Sequence, residues 1–303
     1  MINPVFRRET RTTLRSWKIF AAMVAYTGIL TLVAGITLHI NASSAYNYSF
    51  NPRNVIWLYI TLTAFQNIIV AIIVPALTAG AISGERERQT LDLMLLTKMS
   101  TTSIVVGKLM SSLLTVLLII IAALPVFSIV FYYGGVPLIN LFGMTAFTLL
   151  FAAMTGSISI FFSTITKKTI VSTVWTYIVL LAMTVGNLIT AFVSMMMWTM
   201  NHSVSEPAAS IFVRLFLSLN PGIAFFALLD SQYNTGIFRS LEWDLASNAY
   251  GSSANSITTA IAQFLNGIPL WALNCFVMAV ITAVAVLLSA RLIRPVRKGK
   301  KQE

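Results

Sequence analysis

Few side chains in this sequence are of the kinds that do chemistry. The histidines are His39 and His202, and the single cysteine is Cys275. One cysteine forms no intramolecular disulfide, and this set makes no Cys/His metal site. Phosphate chemistry needs G-x-x-x-x-G-K-[ST] after a strand. Gly107-Lys108 resembles the end of that motif, but Leu109 follows it and Thr102 stands where the first Gly belongs. The pair also opens an apolar run. Gly299-Lys300 is followed by three residues only. No catalytic residue, no metal site and no ATPase site of its own is therefore expected in this chain. What remains is SGERERQTLDLMLLTK, Ser83 to Lys98, where Glu85, Arg86, Glu87 and Arg88 stand side by side. Alternating charges of this kind do recognition, selecting a partner more than adding affinity.

The surroundings of that run define the class of protein. Of 303 residues, 57% are hydrophobic and 10% are charged, and mean hydropathy is +0.83. A soluble domain carries about 25% charged residues. Water could not be the only solvent of this chain, so a polytopic membrane protein is expected. A helix needs about 20 apolar residues to cross a hydrocarbon core of about 30 Å. Six runs meet that need, at 17–38, 55–82, 104–131, 140–163, 170–198 and 268–290. Each must be helical, because backbone groups facing lipid need partners within the segment. The expected fold is all-α, a single transmembrane domain over 1–303. It has an interfacial helix at 1–16, a charged elbow at 83–101, an outer cap at 199–267 and a basic tail at 291–303.

Lysine and arginine orient the spans. One side holds Arg7, Arg8, Arg11, Arg15 and Lys18, then Arg86, Arg88 and Lys98, with Lys108 just inside span 3. Lys167, Lys168 and the tail, Arg291 to Lys301, fall on the same side. The other side holds only Arg53, Arg214 and Arg239. That asymmetry puts both termini and the elbow in the cytoplasm. The net charge of +11 thus belongs to membrane flanks and not to a nucleic-acid surface. Trp17 and Trp175 read as anchors at the inner boundary. Trp57, Tyr59, Tyr132, Tyr133, Trp198 and Trp271 read as anchors at the outer one.

Two segments need a decision. The first run is basic ahead of its apolar stretch, like a signal peptide, but the stretch has the length of a span. It is read as span 1. Residues 208–229 could pass for a seventh crossing. That would carry the basic tail outside, bury Arg214 and place Pro221 in mid-helix, where proline breaks a hydrogen bond. A hairpin turning at Asn220-Pro221-Gly222 is expected instead. A short amphipathic helix is expected over 257–265, with Ile257, Ile261, Phe264 and Leu265 on one face.

The elbow itself reads as a short helix. Leu91, Met94 and Leu95 share a face and Asp92 lies off it. Span 2 enters through Gly80, Ser83 and Gly84, and span 3 starts at Thr101 or Thr102, either of which can cap it. Topology alone needs only Lys and Arg, so Glu85 and Glu87 are surplus to it. Glu85-Arg-Glu-Arg-Gln-Thr-Leu-Asp-x-Met-Leu-Leu-Thr-x-x-Ser100, followed by Ile104 and Gly107-Lys108, resembles the signature of ABC-2-type permeases. That signature runs E-R-E-x-G-T-L-E-x-L-L-x-T-P-x-S, then Gly-Lys. Two positions depart: Gln89 stands where the family usually has Gly, and Lys98 where it usually has Pro. The layout of six spans with a large insertion between the last two is also similar to the G-subfamily-like, type V arrangement.

The resemblance implies a coupling helix that docks on an ATP-binding subunit. Glu85, Arg86, Glu87 and Arg88 would form its ion pairs, with Asp92 beside them. Leu91, Met94 and Leu95 would form an apolar foot. It also implies a second permease copy or a homologous permease as partner, with ATP and Mg held by the separate subunit. Spans 2 and 5 line the path in such proteins, which makes Gln66, Asn67 and Asn187 candidates for contact with cargo. Membrane lipid is the remaining partner, and no nucleic acid is expected. No charge lies at mid-span, which disfavours an ion-coupled carrier. The expected function is the permease subunit of an ATP-driven exporter in a prokaryotic plasma (inner) membrane. The alternative is a non-transporting anchor or sensor with an outer ligand-binding cap and a docking loop.

Overall fold

The structure is a computed structural model. It describes residues 6–7, 10–11, 15–43, 52–91, 100–133, 136–200, 214–233, 264 and 267–293, with backbone alone at 41–43, 52–54 and 187–200. Among these residues every regular element is helical. In chain order they are α1 (Trp17–Ser43), α2 (Pro52–Thr78), α3 (Gly80–Glu87), α4 (Thr101–Ala122), α5 (Leu124–Tyr132), α6 (Leu138–Ile165), α7 (Thr169–Met200), α8 (Pro221–Tyr233) and α9 (Leu270–Leu292). Six stretches are long and apolar enough to cross a membrane: Ile19–Ile40, Val55–Glu87, Thr101–Ala122, Leu138–Ile165, Thr169–Gly186 and Leu270–Leu292. The chain is a multi-pass, all-α membrane protein.

Proline sets the breaks. Pro75 lies inside α2, and the chain turns at Ala79 before α3 begins. The expected single span at 104–131 is two helices, α4 and α5, meeting at Ala123, with Pro125 in the first turn of α5. A proline there has no N–H to continue the ladder of α4, so the helix restarts. Side chains of neighbouring helices bond to carbonyls near these breaks. The Thr27 hydroxyl donates to Ala122 O at 3.3 Å, the Ser159 hydroxyl to Pro75 O at 3.4 Å and the Tyr177 hydroxyl to Ile72 O at 2.6 Å.

The chain divides into two compact units, residues 1–177 with 282–303, and residues 178–281. In the first, α6 packs between α2 and α4. Lipid tails are as apolar as leucine, so close approach and hydrogen bonds hold such helices together. Ala152, Gly156 and Ser157 supply the approach, with Ala152 and Ser157 fully buried. A Cβ on Gly156 would lie 3.1 Å from a Leu109 methyl and 3.4 Å from a Val74 methyl. Near the elbow, Ile82, Leu91, Val105, Leu109, Ile160, Ala290 and Ile293 form one apolar cluster.

Two expectations change in this unit. Tyr59 is not a boundary anchor. It is fully buried, and its hydroxyl donates to Asn140 O at 3.2 Å. Trp57 and Tyr59 are two residues apart on a helix, so they face different ways, and only Trp57 is exposed. The cap of α4 is Ser100, not Thr101 or Thr102: its hydroxyl accepts from Ser103 N at 3.3 Å.

In the second unit α8 has 13 residues, which span about 20 Å and cannot cross a core of about 30 Å. It begins at Pro221, as the expected turn requires, and Asn220 Oδ1 accepts from Gly222 N at 2.7 Å. Arg214 is buried, and its guanidinium donates to Ile268 O. Of the expected helices at 1–16 and 257–265, only residues 6–7, 10–11, 15–16 and 264 are described.

Candidate functional site

The elbow is built from the end of span 2. The stretch Val55–Glu87 has 33 residues, roughly 50 Å at 1.5 Å per residue, and overshoots a core of about 30 Å. The charged end of that excess length is α3 and the residues just after it. Gly80 and Gly84 lie one turn apart and face Thr169, the first residue of α7. A Cβ on Gly80 would meet the Thr169 methyl at 3.2 Å. Glycine here lets the start of α7 lie against α3.

α3 ends in a complete Schellman turn. Gln89 N–H donates to Arg86 O at 3.1 Å, and Thr90 N–H donates to Glu85 O at 2.9 Å. The turn requires a left-handed residue, and Gln89 supplies it with φ 57°. Among the described residues it is the only non-glycine with positive φ. Glycine is the residue such a position favours, because it has no Cβ to clash.

The four adjacent charges have different surroundings. Glu85 Oε1 lies 3.4 Å from Lys108 Nζ, and the Lys108 side chain is only 6% exposed against 29% for Glu85. The Thr90 hydroxyl donates to the other Glu85 oxygen. The Arg86 guanidinium donates to Thr166 O and Thr164 O, each at 3.2 Å. Glu87 accepts from Thr169 N at 2.8 Å and from the Thr169 hydroxyl at 3.0 Å. These two bonds, backbone first, hold the Glu87 carboxyl below the usual carboxylate range, with Lys168 and Arg88 adding positive charge nearby. Glu87, Arg88 and Gln89 are all exposed at the tip, Glu87 while bonded to Thr169.

Three of the four charges therefore face other parts of this chain. Leu91 also turns inward: it is 8% exposed, within the apolar cluster, rather than part of an exposed foot. Asp92, Met94 and Leu95 lie outside the described residues. Among the path candidates, Gln66 is buried and lines a cavity of about 10 Å³ with Tyr59, Thr63, Ile120, Phe127 and Met144. That is room for about one water, inside its own helix bundle. Asn67 is half-buried, and its amide donates to Thr63 O at 2.9 Å. Asn187 lies on α7, where only backbone is described. Reading the sequence missed Ser163, Thr164, Thr166 and Thr169 as partners of the elbow. Two of them act through backbone oxygens, which leave no side-chain signal.

A charged elbow that ends a span, turns on a left-handed residue and pairs Glu85 with the lysine of Gly107-Lys108 gives the signature a physical form. Residues 3–293 match the model of the family described as ABC-2 family transporter protein. The chain belongs to that family. No individually curated protein matches it. As an ABC-2 permease it is a membrane subunit of an ABC transporter, a class that generally works with an ABC ATP-binding subunit. Within the ABC-2 signature, Glu85 and Lys108 are partners, and the position usually held by glycine is the left-handed one.

Proposed function

We propose that this chain is the permease of an ATP-driven exporter in a prokaryotic plasma (inner) membrane, with both termini cytoplasmic. It works as a pair, with a second copy or a homologous permease. A separate ATP-binding subunit, which carries the ATP and Mg, docks on the elbow at 83–101. Hydrolysis occurs there and not in this chain. The observation that supports this reading is the elbow: a helix projecting from span 2, tied into its neighbours, with Arg88 and Gln89 exposed at its tip. Arg88 heads the docking surface, which continues into Asp92, Met94 and Leu95. Glu85, Arg86 and Leu91 shape that surface from behind, and Glu87 lies exposed beside Arg88. Cargo passes beside spans 2 and 5, where Asn67 and Asn187 are the better candidates for contact. Gln66 acts from within the bundle.

The test is co-purification. The chain is tagged at its C-terminus and extracted in mild detergent, native and Arg88→Glu side by side. An ATP-binding protein held by the native chain and released by the variant is the expected result. Absence of any ATPase from both would sink the exporter reading and favour the anchor or sensor.

A further inference from the structure

Two of the elbow charges sit at the ends of two other helices. Arg86 bonds Thr164 O and Thr166 O, at the C-terminus of α6, where the last four carbonyls lack helical partners. Glu87 takes the N–H and hydroxyl of Thr169, the first residue of α7. Each charge has the sign that the helix end favours, a cation at a C-terminus and an anion at an N-terminus. Charge-assisted bonds of this kind are roughly twice as strong as neutral ones. A third tie lies one turn earlier. The Ser163 hydroxyl accepts from Ile82 N at 3.0 Å and Ser83 N at 2.9 Å, and lies 3.1 Å from the Ser83 hydroxyl. Behind them Gly80 meets the Thr169 methyl with no room to spare.

The elbow is thus bonded to the 163–169 turn at three successive levels, while the Glu85–Lys108 ion pair and the packing of Leu91 on Val105 and Leu109 tie it to α4. Backbone atoms take part in most of the bonds, as donors or acceptors, so the tie constrains chain position and not merely side chains. We propose that Arg86 and Glu87 are positioning residues that weld the elbow to the α6–α7 turn, so that motion of the elbow carries the first turns of α7 with it throughout the transport cycle. This rests on the exporter reading, in which a motor moves the elbow. Through the weld the push reaches span 5 as well as spans 2 and 3.

The test needs no cargo. The complex with its ATP-binding subunit is trapped with ATP and vanadate, and amide exchange is compared with the nucleotide-free complex over 83–91 and 169–177. In the native complex both segments change together. In Glu87→Ala the change at 169–177 is lost while that at 83–91 is retained in the complex that forms. Glu87→Gln, which keeps an acceptor oxygen, restores the joint change. A Glu87→Cys/Thr169→Cys pair in a Cys275→Ser background, bridged by a short thiol crosslinker, keeps both the joint change and ATP hydrolysis. The proposal is overturned if Glu87→Ala leaves the joint change intact, or if the bridge stops hydrolysis, since the contact would then have to open. If Glu87→Ala fails to fold, the bridged pair decides. A native chain that binds no ATP-binding subunit overturns the exporter reading first, and this one with it.

Discussion

Gln89 holds a left-handed conformation, φ 57°, that glycine adopts without a clash. The left-handed region costs an L-residue roughly 1–2 kcal/mol. Glycine forgoes that cost but loses more freedom on folding, roughly 0.5–1 kcal/mol. Gln89→Gly is therefore expected to stabilise the turn by about 0.5–1 kcal/mol, since no described side-chain bond of Gln89 is lost. At 1.4 kcal/mol per tenfold, local opening falls by about two- to fivefold. The assay is amide exchange in nanodiscs, followed at Thr90, whose N–H bonds Glu85 O at 2.9 Å. Gln89→Val sets the opposite limit, because a β-branched residue is a steric outlier at positive φ. Exchange at Thr90 should slow in the order Val, Gln, Gly. If the glycine variant exchanges as fast as the native chain, and valine no faster, the turn bears no left-handed strain and the argument fails.

Glu85→Gln leaves Lys108, 6% exposed, beside a neutral partner. The expected loss is about 1–3 kcal/mol, below the full value for a buried pair because Glu85 is itself partly exposed. Adding Lys108→Met to that variant should recover most of it, read as thermal midpoint in detergent; an additive double variant refutes the pairing. Gly156→Val forces methyls against Leu109 and Val74 and should cost about 1–3 kcal/mol by overpacking. An unchanged midpoint there would show that α6 is not closely packed. The Glu87 tie has a definite pH sense. Its carboxyl is depressed, so its stabilisation is present above the ordinary carboxylate range and is lost as pH falls through the depressed folded value. Protection of Thr169 N–H should thus hold from neutral pH through the ordinary carboxylate range and fall only at lower pH. Glu87→Gln should remove that fall.

Composition and run length were enough to read the membrane class, six span-length helices and the position of the charged elbow. The reason is the solvent: lipid demands long apolar helices, and such runs stand out at any reading. The turn at Asn220-Pro221 was legible too, because proline restricts its own backbone whatever surrounds it. The Gln89 anomaly was visible as a departure from a family pattern, but its left-handed angle was not. What the elbow charges face depends on how distant segments meet in the folded chain. Four adjacent charges on a membrane flank look alike in sequence. Three of them meet partners in this chain, at Lys108, at Thr164 and Thr166, and at Thr169. Lys108 lies 23 positions from Glu85, and the other partners lie 78 to 82 positions from Arg86 and Glu87. Several of those partners are backbone atoms that every residue carries. Periodicity reports which face of a helix is apolar, as at Leu91, but not whether that face meets a partner or the chain's own core. That choice depends on where α4, α6 and α9 bring Val105, Ile160 and Ala290 in space.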